Sequence, residues 1–214
     1  MNLKSESSVL EAAQLALSAT VREENVRLHM EPFGLTAALQ QQGNELLEKA
    51  KSCQSRQTIL YDEQWSISQQ LNAELDATHS LFKEHAKVSR MAFRKEPDLL
   101  HSLKIERFVK QAWPLVRQAE YFYERVLEQE LNLQPYGISK KEIEQAKAAV
   151  RRLLELKETR MHKKGLAENC TQEKNAAFKE LRDWVSRFRA IARLAFKGNP
   201  QMLEIFGIQV LSKV

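Results

Sequence analysis

The sequence has only six glycines and five prolines in 214 residues, which leaves little material for turns or long loops. With 29% charged residues and a mean hydropathy of −0.49, that scarcity describes a soluble, helix-rich chain. No run of about 18 apolar residues occurs, which excludes a membrane-spanning helix. Residues 1–20 carry Lys4, Glu6 and Glu11 among short apolar groups and lack a continuous apolar stretch, which argues against a secretory leader. Cysteine is nearly absent. Cys53 and Cys170 read as small apolar fillers and fit a cytoplasmic location without requiring it.

Local signatures of chemistry are missing as well. There is no Gly-x-x-x-x-Gly-Lys phosphate loop, no Gly-x-Gly-x-x-Gly and no Gly-x-Ser-x-Gly, so neither nucleotide binding nor nucleophilic catalysis is indicated. Helical bundles that hold bridged metals use Glu-x-x-His, and that pattern is absent too. The nearest spacings are Asp76-x-x-His79 and Asp98-x-x-His101, which read as surface or capping groups. His85 lies on an apolar face without a second ligand at metal spacing, so it reads as a core or boundary histidine. The expectation is a noncatalytic protein with no cofactor.

What the chain does contain is a repeat. Residues 90–105 read Arg-Met-Ala-Phe-Arg-Lys-Glu-Pro-Asp-Leu-Leu-His-Ser-Leu-Lys-Ile, and residues 193–208 follow the same pattern, Arg-x-Ala-Phe-basic-x-x-Pro-x-apolar-Leu-x-x-apolar-x-Ile. The offset of 103 extends without a gap from Leu28/Leu131 to Ile105/Ile208, giving thirteen identities in 78 positions. That is about three times the ~6% expected from composition, and the identities gather at structural punctuation such as Pro32/Pro135, Gly34/Gly137 and Pro97/Pro200. The sequence therefore reads as a tandem duplication of one helical unit. The expected domains are 1–103 and 104–214.

Within each unit the apolar spacing predicts helices and no strands. A first helix is expected over about 8–30 with Leu10, Ala13, Leu17 and Val21 on one face, and over about 104–131 with Phe108, Ala112, Val116, Ala119, Tyr123 and Val126. Pro114 inside the latter predicts a kink or restart. A Pro-aromatic-Gly turn follows each, then a second helix capped by Thr36 or by Ser139 with Glu142. Seams run through Leu39, Gly43, Leu46, Ala50 and Cys53, and through Ile143, Ala146, Val150 and Leu153. Third helices are expected to start near Asp62, where a helix continuous with the second is the alternative, and after Gly165, Asn169 and Thr171, with Asn72/Asn175 as buried amides fixing register. Each unit then closes with a short helix after Pro97 or Pro200. The fold expected is all-α, two similar antiparallel helical bundles, with an exchange of helices between the units into one elongated bundle as the alternative.

Charge divides unevenly along the chain. Residues 1–103 hold 11 Lys/Arg against 14 Asp/Glu, a balance of −3, whereas residues 104–214 hold 22 against 14, a balance of +8. Halves of opposite sign suggest self-assembly, the acidic repeat of one molecule accepting the basic repeat of the next in a homo-oligomer or filament. Contact residues expected from the repeated stretch and its basic faces are Arg90, Leu99, Leu103, Arg182, Arg189, Arg193, Met202 and Phe206. Nucleic-acid or anionic-surface binding is the second reading, through Lys140, Lys147 and Arg151 together with Arg182, Arg189 and Arg193. A metal- or ligand-binding bundle is the third.

Overall fold

The computed structural model describes residues 3–107, 109, 111–129 and 131–210. Six α-helices follow in order among them: α1 (Glu6–Arg22), α2 (Glu24–Met30), α3 (Ala37–Ala92), α4 (Pro97–Ser102), α5 (Ala112–Glu128) and α6 (Lys140–Ala195). Short 3-10 turns occupy Glu31–Phe33, Gln134–Tyr136 and Pro200–Phe206, and the described residues contain no strand. The all-α expectation holds.

Two helices dominate. α3 and α6 each run 56 residues, and α6 begins and ends 103 positions after α3. Their entries are built alike, from a 3-10 turn that ends in a left-handed glycine, Gly34 at φ 105° and Gly137 at φ 87°. Thr36 Oγ1 accepts the Leu39 N–H at 3.1 Å ahead of α3. Ahead of α6, Ser139 Oγ accepts the Glu142 N–H while the Glu142 carboxylate accepts from the Ser139 backbone and hydroxyl, the reciprocal box the spacing predicts. The chain also turns alike after them: Lys104 takes φ 54° and its counterpart Gly207 takes φ 66°. Lys104 adopts a conformation that normally favours glycine.

The breaks expected near Asp62 and Gly165 do not occur. Both positions are interior to a long helix. A lone glycine costs about 1 kcal/mol relative to alanine in a helix, and nothing lies within 4 Å of where a Gly165 Cβ would stand, so the helix continues through it. In the helix expected over about 104–131, by contrast, the described residues between Lys104 and Gln111 are not helical, and Pro114 falls in the first turn of α5, where no intrahelical donor is lost. Phe108, expected on that helix, lies outside the described residues.

Continuous helices change how the chain is partitioned. The expected division after residue 103 is corrected: one compact unit comprises Met1–Tyr61 with Leu166–Val214, and the other comprises Asp62–Gly165. With no turn at its middle, α3 cannot fold back on itself, so each half of it packs against a half of α6. In unit 1 the pairs Lys49–Glu180, Arg56–Glu173 and Gln57–Thr171 run in opposite directions along the two helices. In unit 2 the pairs Glu63–Lys163, Ser68–Arg160 and Glu74–Arg152 do the same. Each unit is an antiparallel bundle that draws on both halves of the sequence.

Each bundle has its own core. Unit 1 buries Val9, Ala13 and Leu17 of α1 against Leu39, Leu47 and Ala50 of α3 and Leu181, Trp184, Val185 and Phe188 of α6. Unit 2 buries Val116, Ala119, Tyr123 and Val126 of α5 against Phe82 and Ala86 of α3 and Ile143, Ala146, Val150 and Leu153 of α6. Gly43 serves the close approach its small size predicts. Trp184 lies across it, with its indole N–H donating to the Leu39 carbonyl at 2.8 Å. Asn72 and Asn175, expected as buried amides, are both exposed, because they sit on the outer faces of α3 and α6.

Candidate interaction surface

The repeated stretch ends each long helix, yet its two copies bury different groups. Arg90 is half-buried and its Nε donates to the Ile105 carbonyl, drawing in the segment after α4 so that Leu103 and Ile105 reach 0% exposure in the core of unit 2. Arg193, its counterpart, is exposed on unit 1. Phe206 is 1% exposed in the core of unit 1, edge-on to Phe188 at 5.3 Å. Leu103 and Phe206 are therefore corrected as contact residues: in the folded chain they close the bundle ends. Leu99 and Met202 are half-buried, packed on the cores of units 2 and 1.

The basic faces are partly occupied as well. Arg182 Nε donates to the Leu3 carbonyl at 3.2 Å. Arg189 is buried, and burial followed by the nearby Arg193 charge lowers its affinity for a proton. Only Arg193 of these three stands fully exposed. On unit 2, Lys147 and Arg151 approach Glu124 of α5 at 3.5 and 4.0 Å, whereas Lys140 is exposed at the start of α6.

Charges from the two sequence halves meet within each unit, and in unit 1 in both senses. Lys174–Glu6 and Lys49–Glu180 in unit 1, and Lys163–Glu63 and Arg152–Glu74 in unit 2, each join an early residue to a late one. Exposed pairs of this kind contribute about 0–1 kcal/mol each, so they select which halves pair more than they stabilise the result. Partitioned by unit, the charge is nearly even: 14 Lys/Arg against 12 Asp/Glu in unit 1, and 19 against 16 in unit 2. Neither bundle is acidic.

Exposed apolar residues recur at positions 103 residues apart. Phe33 and Tyr136, 103 positions apart, are each 44% exposed beside their left-handed glycines. Met91 and Leu194, also 103 apart, are 60% and 61% exposed one position after the repeated arginines. Arg94 and Lys197 follow them three residues later, both exposed. In unit 1 the turn carrying Phe33 lies against the end of α6, since His29 bonds the Ala195 carbonyl at 2.9 Å and packs on Phe196 at 5.0 Å. The sequence signal for Met91 and Leu194 was present: an apolar residue at the variable second position of Arg-x-Ala-Phe, a quarter-turn or more away from the alanine and phenylalanine, which are buried at Ala195 and Phe196 and partly buried at Ala92 and Phe93.

His85 is the satisfied core histidine its position predicts. It is buried, its Nδ1 lies 3.2 Å from the Tyr123 hydroxyl, and the two rings meet edge-on at 89°. Burial depresses its basicity, against smaller opposing fields from Glu84 and Glu142. The same burial pushes the Tyr123 phenol well above its ordinary range. Among the described residues no group of three or more His, Cys, Asp or Glu is arranged to hold a metal ion, and no helix is long and apolar enough to cross a membrane. Comparison with protein-family models, curated proteins and solved structures finds no match to this chain.

Proposed function

We propose that this is a noncatalytic, cytoplasmic interaction protein, an internally duplicated helical scaffold that self-associates through apolar residues presented at equivalent places in its two repeats. The observation that carries the reading is the matched exposure of Phe33 with Tyr136 and of Met91 with Leu194. Two large side chains left in water at the same position of two diverged repeats, with a cation three residues on, fit a contact surface better than a gap in packing. Acid–base docking between units is not the drive we assign, since both carry a small positive balance and the halves' charges already pair within each bundle.

The test is light scattering after size-exclusion chromatography across protein concentration and salt, for the wild type and for a Met91→Glu, Leu194→Glu double variant. The expected result is a wild-type mass that grows with concentration and a variant that stays monomeric with unchanged helicity, because both side chains are already exposed and such changes shift stability by about 0.5 kcal/mol or less. A wild type that is monomeric throughout, or a variant that assembles as well, refutes self-association. Nucleic-acid binding is the second reading, favoured by the positive balance of both units and the exposed Lys140, Arg193 and Lys197. It predicts retention of single- or double-stranded DNA or of RNA at low salt and steep loss as salt rises.

A further inference from the structure

We propose that unit 2 holds a binding site for a linear, medium-chain carboxylate, in the cavity between the end of α5 and the first turn of α6. The cavity has a volume of about 340 Å³, at the lower end of the range for small-ligand sites. Its walls are aliphatic: Val126 and Leu127 from α5, Leu131 and Leu133 from the connection, Ile138 and Ile143 at the start of α6. Among the described lining residues no aromatic ring is present to stack a planar ligand. The polar side chains among the described lining residues are those of Asn132, Gln134 and Lys140, all three exposed, and none is a carboxylate; backbone polar groups of the connection line it as well.

Those three residues are not equivalent. Asn132 Oδ1 is engaged by its own turn, accepting the Gln134 N–H at 3.1 Å. Lys140 supplies the cation and is the first residue of α6, where the helix dipole also favours negative charge. The nearby Glu142 carboxylate is bound to the backbone and hydroxyl of Ser139, which its depressed proton affinity reflects. An aliphatic tail with one anionic head matches this lining in both shape and charge.

The connections that lead into the two long helices differ in where the preceding helix ends: α1 stops at Arg22, whereas α5 runs to Glu128, three positions further along the 103-residue offset. Between α1 and the 3-10 turn of unit 1 stand residues 23–30, most of them in α2, with Met30 at 0% and Leu35 at 1% exposure. The corresponding connection in unit 2 is residues 129–133, three residues shorter; its described residues are not helical, and its Leu131–Gln134 stretch borders the cavity. Where unit 1 has His29 packed between Phe33 and Phe196, unit 2 has the shorter Asn132.

The experiment titrates the full-length protein with hexanoate, octanoate and decanoate below their micellar concentrations, with octan-1-ol as the neutral comparator, by calorimetry and by methyl NMR. Expected are saturable binding that tightens about threefold to fourfold per added methylene and shifts concentrated on the methyls of Val126, Leu133, Ile138 and Ile143. Lys140→Gln should weaken octanoate about twofold to fivefold and leave octan-1-ol unchanged. Leu131→Phe, at the half-buried rim, should abolish both. Absence of chain-length-dependent binding, or shifts centred elsewhere on the wild type, overturns the site even if the Leu131 variant folds poorly. Equal loss of acid and alcohol in Lys140→Gln overturns the assignment of the anionic head.

Discussion

Replacing Gly43 by alanine should destabilise unit 1, although the same change in an open stretch of helix stabilises. A Cβ at Gly43 would overlap Cζ2 of Trp184 and lie 2.5 Å from Cε2 and 2.8 Å from Cη2. The indole has no easy retreat: it is 3% exposed, is stacked at 5.5 Å on Phe188, and donates to the Leu39 carbonyl. Overpacking of this kind costs about 1–3 kcal/mol, and an indole N–H torn from its buried acceptor costs about 1–3 kcal/mol more. Alanine returns about 1 kcal/mol through helix propensity. The net expectation is a loss of about 1–5 kcal/mol. Gly165 is the internal control, because nothing lies within 4 Å of its Cβ position; Gly165→Ala should gain about 0.5–1 kcal/mol. Urea denaturation followed by circular dichroism reads both midpoints. A Gly43→Ala midpoint equal to or above the wild type would refute the close packing of Trp184 on α3.

Three further outcomes follow from named groups. Burial holds the folded-state pKa of His85 below its unfolded value of about 6.5, so the unfolded chain binds the extra proton and stability falls as pH drops below about 6.5. His85→Phe, the residue the second repeat carries at Phe188, should remove that part of the acid sensitivity, seen as a smaller drop in Tm between pH 7.5 and 5.5 than in the wild type; an identical drop would show that His85 is not the group responsible. Ser139→Ala deletes the cap of α6 and should cost about 0.5–2 kcal/mol, read by thermal melting, with no change if the reciprocal bonds to Glu142 do not form in solution. Glu74→Lys reverses one member of an exposed pair with Arg152 and should lower stability by about 1 kcal/mol or less, an effect that 1 M salt erases.

Much of the fold could be read from the chain because its punctuation is local. Gly34, Gly137 and Gly207 sit where only left-handed backbone closes the turn, Thr36 and Ser139 cap the helices they precede, and the seams through Ile143, Ala146, Val150 and Leu153 face the core. What escaped was long-range pairing. Period alone shows that a helix has an apolar face but not which helix covers it, and a glycine such as Gly165 looks like a break until its helix is seen to continue. The same limit misplaced the charge argument: the sign difference between residues 1–103 and 104–214 is real in the sequence, yet Glu63 meets Lys163 and Glu6 meets Lys174 within a unit. Of the expected contact residues, Leu103 and Phe206 failed because the pattern that marks a short amphipathic helix does not say whether its apolar side meets its own bundle or a partner.

The central claim is that each bundle is assembled from both halves of the sequence, and its most direct test is to excise the pieces. Residues 62–165 contain unit 2 as one continuous stretch, whereas residues 1–103 and 104–214 each cut through both bundles. The fragment 62–165 should be helical, with a cooperative thermal transition, while 1–103 and 104–214 alone should lack one and regain it as a one-to-one complex when mixed. Independent cooperative folding of 1–103 and 104–214 as monomers, with an unstructured 62–165, would contradict the account.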